Sequence, residues 1–85
     1  MSDRAALDFK LGDLVREFAP ALPDDPARAR AADLRDAGLS SMATVKLMLA
    51  IEAAYDVAIP DSELTQENFR SIAAIAALLE RLQAA

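Results

Sequence analysis

The stretch "AGLSSMATVKLMLAIE", residues 37–52, sets two adjacent hydroxyls, Ser40 and Ser41, between a glycine turn and a strongly apolar helical pattern. A serine hydroxyl is a poor nucleophile until a neighbouring base takes its proton. The chain contains no His and no Cys anywhere in its 85 residues, so no imidazole or thiolate is present to do so, and the usual zinc ligands and disulfides are missing with them. Two carboxylate pairs, Asp24 with Asp25 and Asp33 with Asp36, sit in a polar stretch with arginines interleaved, the pattern of a solvated face rather than an acid–base pair. No glycine-rich phosphate loop occurs. The residues therefore point away from an enzyme and toward hydroxyls used for something other than catalysis.

Local physics offers two such uses. The first N–H groups of a helix have no intrahelical partners, and a serine at the N-cap satisfies one of them, a contribution of about 1 kcal/mol. The same N–H groups and the positive end of the helix dipole also favour an anion, so a phosphate ester on a serine there is electrostatically welcome. Capping accounts for one hydroxyl and leaves the other open.

The elements that must position these serines are helical. Apolar residues make up 54 % of the chain with only 2 Gly and 4 Pro, and the abundance of Ala and Leu over β-branched residues favours helix over sheet. A first helix is predicted from Asp3 to Ala19, with Leu7, Leu11, Leu14, Val15 and Phe18 on one stripe and Pro20 after its end. The connection "PALPDDPARARAADLRDAGLS" follows. Within it Asp25 and Pro26 read as N-cap and first position of a short helical piece near residues 26–33, Gly38 as a positive-φ turn, and Leu34 and Leu39 as anchors to the core. The next helix is predicted from Ser41 to Tyr55 and carries two apolar stripes: Thr44, Leu47, Met48, Ile51 and Tyr55 form one, and Met42, Val45 and Leu49 the other. A domain this small cannot bury both, so the second is a candidate partner surface. "DVAIPD" reads as an extended link with Val57 and Ile59 inward, and "DSELTQENF" as a short irregular helix anchored by Leu64 and Phe69. The last helix is expected from Ser71, as N-cap, to Gln83, burying Ile72, Ile75, Ala76, Leu79 and Leu82. The length leaves room for one domain, residues 1–85.

A net charge of −5 supplies no basic stripe for nucleic acid or an anionic membrane surface. The N-terminal "MSDRAALDFK" has no apolar signal core and no run approaches a membrane span, so a soluble, cytoplasmic protein is expected, monomeric by default.

"GLSSMATVKLMLAIEAAYDVAIPD" resembles the attachment region of acyl carrier proteins, in which a glycine–leucine turn and an Asp-Ser-Leu triplet open the helix and an "IPD" link follows it. The similarity runs from about Leu34 to Leu82. It implies an all-α, acyl-carrier-protein-like four-helix bundle, with three main helices, a short helix III and a long loop after the first helix. By position Ser41 resembles the serine that takes a covalent 4′-phosphopantetheine arm from coenzyme A, whose thiol carries cargo as a thioester. Ser40 stands where the family has aspartate, and is read as the cap. Ser40, Met42, Ala43, Val45, Lys46 and Leu49 then form the expected partner-docking face. Only Glu52 and Asp56 bring negative charge to this helix, unlike the acidic helix of fatty-acid carriers, so docking is expected to rest on apolar burial more than on Coulomb attraction. "AGLSS" and "NFRSI" are similar to bacterial aminoacyl carrier proteins, and "SSMATVKLML" to D-alanyl carrier proteins. The resemblance implies an amino acid cargo, a phosphopantetheinyl transferase, a charging ligase that looks like a seryl-tRNA synthetase or another acyl-activating enzyme, and a downstream acyl acceptor enzyme. A D-alanyl, fatty or polyketide-type acyl carrier, or an unmodified helical adaptor, are the alternative readings.

Overall fold

In the computed structural model the backbone is described for residues 3–84 and side chains for residue 7 and residues 9–83. The elements are α1 (Asp3–Arg16), α2 (Pro26–Ala31), α3 (Ser41–Tyr55), a single 3-10 turn (Asp61–Glu63) and α4 (Ile72–Ala84), with no strand among the described residues. The helical content favoured by composition, and the all-α bundle that the resemblance implied, are thus the fold. Helix α1 is its hub, packing against α4, α2 and α3, while α2 also leans on α4.

Helix α1 ends at Arg16, three residues short of the predicted Ala19. The chain nevertheless continues in bonded turns, Phe18 N–H and Ala19 N–H both donating to the Val15 carbonyl at 2.9 Å, which hold Ala19 in the core before Pro20. Leu11, Val15 and Ala19 are fully buried, and Leu7, Leu14 and Phe18 flank them. Phe9 lies off this stripe and is 70 % exposed.

The long connection is ordered. Asp25 caps α2 by accepting from Arg28 N–H at 3.0 Å, with Pro26 in the first turn, where its missing N–H costs nothing. Two further acids of this region, Asp24 and Asp33, also make local contacts. Asp24 pairs with Arg16 at 3.6 Å, and Asp33 accepts from Arg35 N–H at 2.9 Å and meets Arg70 at 3.9 Å. Arg16 further donates to the carbonyls of Leu22 and Pro23. Leu34 and Leu39 are buried as predicted, and Leu34 N–H donates to the Arg70 carbonyl at 2.8 Å, tying the loop to the chain ahead of α4. Gly38 turns the chain at φ +102°, and a Cβ there would sit 3.2 Å from Pro20 Cδ.

Beyond α3, Asp56 takes a left-handed conformation (φ 53°) that ends the helix, a conformation Asp tolerates better than most residues. Ile59 is buried and Val57 packs on the core, as read from "DVAIPD". The segment read as a short irregular helix III is a 3-10 helix, Asp61–Glu63, continued by turns: Phe69 N–H donates to the Thr65 carbonyl, Thr65 Oγ1 accepts from Asn68 N–H, and the Asn68 side chain donates to the Glu63 backbone carbonyl and carboxylate. Leu64 and Phe69 anchor it. The short helical piece expected near residues 26–33 is α2. Ser71 caps α4 by accepting from Ala74 N–H at 3.1 Å, and Leu78, missed by the predicted stripe, is fully buried with Ile75, Ala76 and Leu79. None of the helices of the described residues is long and apolar enough to cross a membrane.

Replacing Gly38 with Ala should destabilise the protein by roughly 1–2 kcal/mol in urea denaturation, because the new Cβ meets both the positive φ and Pro20. An unchanged midpoint would mean that the turn relaxes away from this conformation.

Candidate functional site

The site is built by the way α3 beds down. Leu47, Met48 and Ile51 are buried, and Thr44 and Tyr55 are half-buried at the two ends of the same face. Burial raises the pKa of the Tyr55 hydroxyl by desolvation; its oxygen is buried without a hydrogen-bond partner, while Lys10 Nζ lies 5.1 Å from its ring centroid. The other stripe is left in solvent: Met42 is 72 %, Leu49 55 % and Val45 43 % exposed. Three large apolar side chains on one helix face form a patch that monomeric proteins seldom leave open without a use.

The two serines at the head of this helix have different fates. Ser40 is the N-cap: its Oγ accepts from Ala43 N–H at 3.1 Å, and its carbonyl accepts both the Thr44 N–H and the Thr44 hydroxyl, at 2.9 and 2.8 Å. Ser41 is the first helical residue, is exposed, and its hydroxyl has no hydrogen bond among the described residues. The cap occupies one hydroxyl and the other faces outward, unengaged.

Of the remaining residues predicted for this face, Lys46 is exposed beside the stripe, while Ala43 is half-buried against the core and offers little surface. The two acids read on α3 are not equivalent. The Glu52 carboxylate accepts from Ile59 N–H at 2.7 Å, latching the link after the helix, and only Asp56 is free of such a duty. The exposed face of α3 is thus apolar, with Lys46 its one cation.

Beside Ser41 lies a groove of about 280 Å³, walled by Ser41, Thr44 and Val45 on one side and by Leu64, Gln66 and Phe69 on the other, with Arg35 also lining it. Arg35 and Gln66 are shared with a neighbouring polar groove that includes Asp33, Glu67 and Arg70. Helical periodicity had no way to single out Arg35: it stands in the loop, six positions before Ser41, and only the fold brings it to the serine.

Residues 11–79 match the model of the phosphopantetheine attachment site family. The chain belongs to that family. Membership implies a covalently attached 4′-phosphopantetheine prosthetic group, and an exposed, unbonded serine hydroxyl at the head of a helix is a fitting point for it. Among relatives, the chain is 57 % identical over 44 residues to the aminoacyl carrier protein of Agrobacterium fabrum, covering 52 % of this chain and 53 % of that one. The chain spans about half the length of the curated aminoacyl carrier proteins it matches. The fold match is more extensive. A chain in the crystal structure of an engineered Bradyrhizobium japonicum glycine:[carrier protein] ligase complexed with carrier protein from Agrobacterium tumefaciens and ATP superposes with a TM-score of 0.73. The two are 38 % identical, over 88 % of this chain and 97 % of that one. A second, from the Bradyrhizobium japonicum glycine:[carrier protein] ligase complexed with glycylated carrier protein, gives 0.62 at 36 % identity over 95 % and 99 %.

Because Ser40 alone supplies the side-chain cap, Ser40→Ala should cost about 1 kcal/mol of stability, whereas Ser41→Ala should stay within about 0.5 kcal/mol of wild type. Paired urea melts of the two variants measure the difference; equal losses would contradict the division of roles.

Proposed function

We propose that the chain is a single-domain carrier, residues 1–85, that holds an amino acid as a thioester on a 4′-phosphopantetheine arm attached to Ser41. The observation that carries this reading is the free, exposed Ser41 hydroxyl beside a capped Ser40, in a member of the phosphopantetheine attachment site family. A phosphopantetheinyl transferase would supply the base that the chain lacks: the base takes the Ser41 hydroxyl proton, Ser41 Oγ attacks the arm-side phosphorus of the coenzyme A pyrophosphate, and the P–O bond to the nucleotide breaks, leaving the arm on Ser41 as a phosphodiester and releasing adenosine 3′,5′-bisphosphate. The arm brings the thiol that a chain with no Cys does not have. The protein itself does no chemistry in this reading. It tethers cargo so that each enzyme meets it at high effective concentration without needing tight binding.

What supports amino acid cargo is the similarity to aminoacyl carrier proteins, and to chains in complexes with glycine:[carrier protein] ligase. The charging partner would be an amino acid:[carrier protein] ligase, resembling a seryl-tRNA synthetase, and a downstream acyl acceptor enzyme would receive the cargo, all in the cytoplasm. Met42, Val45 and Leu49 are the docking surface, with Ser40 and Ala43 at its head. Lys46 lends it a positive rim, a feature that places any electrostatic guidance on an acidic partner.

Incubation with coenzyme A and a broad-specificity phosphopantetheinyl transferase should add the mass of one arm to the wild type and to Ser40→Ala, and none to Ser41→Ala, by intact-protein mass spectrometry. An unmodified adaptor would gain no mass, and labelling lost in Ser40→Ala alone would transfer the attachment to the other hydroxyl. A screen of amino acids with the ligase then identifies the cargo; acceptance of only fatty or polyketide acyl groups would refute an amino acid carrier.

Docking through apolar contacts has its own signature. Met42→Ala and Leu49→Ala should each raise the ligase KM for the carrier by roughly three- to tenfold with little change in kcat. Wild-type KM should shift only slightly between 50 and about 200 mM salt, near one Debye length of screening. A steep salt dependence would place the contact on the acidic loop or on Asp56 instead.

A further inference from the structure

The groove beside Ser41 has a chemistry that the carrier reading does not use. Val45, Leu64 and Phe69 give it apolar lining, and Thr65, Gln66 and Arg35 line it as well, with Thr65 Oγ1 accepting from Asn68 N–H. Arg35 is exposed and forms no ion pair with another described residue. Neither neighbouring carboxylate pairs with it: Asp33 is taken up by the Arg35 backbone N–H and by Arg70, and Asp36, the next residue along the chain, forms no ion pair with a described residue. A guanidinium left without an anion, in the same groove as the serine to be esterified, is matched in charge to the one permanent anion the arm carries.

Resting on the carrier reading, we propose that Arg35 is a positioning residue: it pairs with the phosphodiester on Ser41 and lays the first part of the arm into the groove between α3 and residues 64–69. The arm's chemistry fits in order. Next to the phosphate come a gem-dimethyl group, suited to Val45, Leu64 and Phe69, and then a hydroxyl and an amide, suited to Thr65 and Gln66. The groove, of about 280 Å³, is small and open and offers room for the proximal part of the arm. An exposed ion pair is weak and screened by salt, so the docked arm exchanges with a free one. That suits a carrier that must surrender its cargo to each enzyme in turn.

The test compares apo and arm-bearing protein by NMR, with isotope-labelled pantetheine installed by the transferase. In the arm-bearing wild type, nuclear Overhauser effects are expected from the gem-dimethyl group to Leu64 and Phe69. The Arg35 Nε–H signal should shift relative to apo, and the arm's first amide should show slower motion than free pantetheine. In Arg35→Gln the contacts and the slowed motion are expected to be lost, in Arg35→Lys partly kept, and in wild type to weaken as salt rises. Because Arg35 is exposed, the amide spectrum away from the groove should be unchanged in both variants, which separates this effect from misfolding. An arm attached to Ser41 but freely mobile in wild type, or contacts unaltered in Arg35→Gln, would overturn the inference while leaving the carrier reading intact. Absence of any mass gain at Ser41 would instead remove the carrier reading itself.

Discussion

A helix apolar on two faces inside a domain that can bury only one is the constraint on which this protein depends. Helix α3 gives Leu47, Met48 and Ile51 to the core. Each such side chain removed from water contributes on the order of 1.5–3 kcal/mol, so their burial sets the rotation of the helix about its axis. That rotation turns Met42, Val45 and Leu49 outward, together with Ser41, which lies on the same side at i, i+4 and i+8 from Val45 and Leu49. An exposed handle and an exposed apolar patch are thus two consequences of one packing choice. Rotating the helix to hide the patch would bury the hydroxyl as well.

The head of the helix needs a second arrangement, because its start must be both finished and accessible. Ser40 resolves this by capping with its own side chain. Serine caps the helix without placing a negative charge beside the exposed Ser41 hydroxyl, as an aspartate cap would. The turn that delivers Ser40 rests on Gly38 and on buried Leu34 and Leu39, so the long connection after α1 is a structural brace for the site rather than a tether. At the far end the Glu52 carboxylate accepts from Ile59 N–H, which fixes the link after the helix and engages one of the few acids of α3.

The result is an exposed helix face that combines a small apolar patch, Met42, Val45 and Leu49, with a single positive charge, Lys46. The chain belongs to the phosphopantetheine attachment site family, and under the proposed carrier function brief, successive encounters are served better by a weak patch than by a strong one.

Much of this was legible in the residues alone. The 3.6-residue spacing of apolar side chains located α1, α3 and α4, the Asp25–Pro26 pair located α2, and Gly38 announced its positive φ, because each of these is a local steric or periodic property. The adjacency of Ser40 and Ser41 showed that one hydroxyl was surplus to capping. Three things needed the fold. The segment after Pro60 became a 3-10 turn held by Asn68 and Glu63, since hydrogen bonds across five residues, not helix propensity, decide its path. Leu78 joined the core because α4 is surrounded on more than one side, by α1 and α2. Arg35 reached the groove of Ser41 only through the turn between them. Sequence determines which faces can be buried, but which distant side chains share a groove is settled when the helices close on one another.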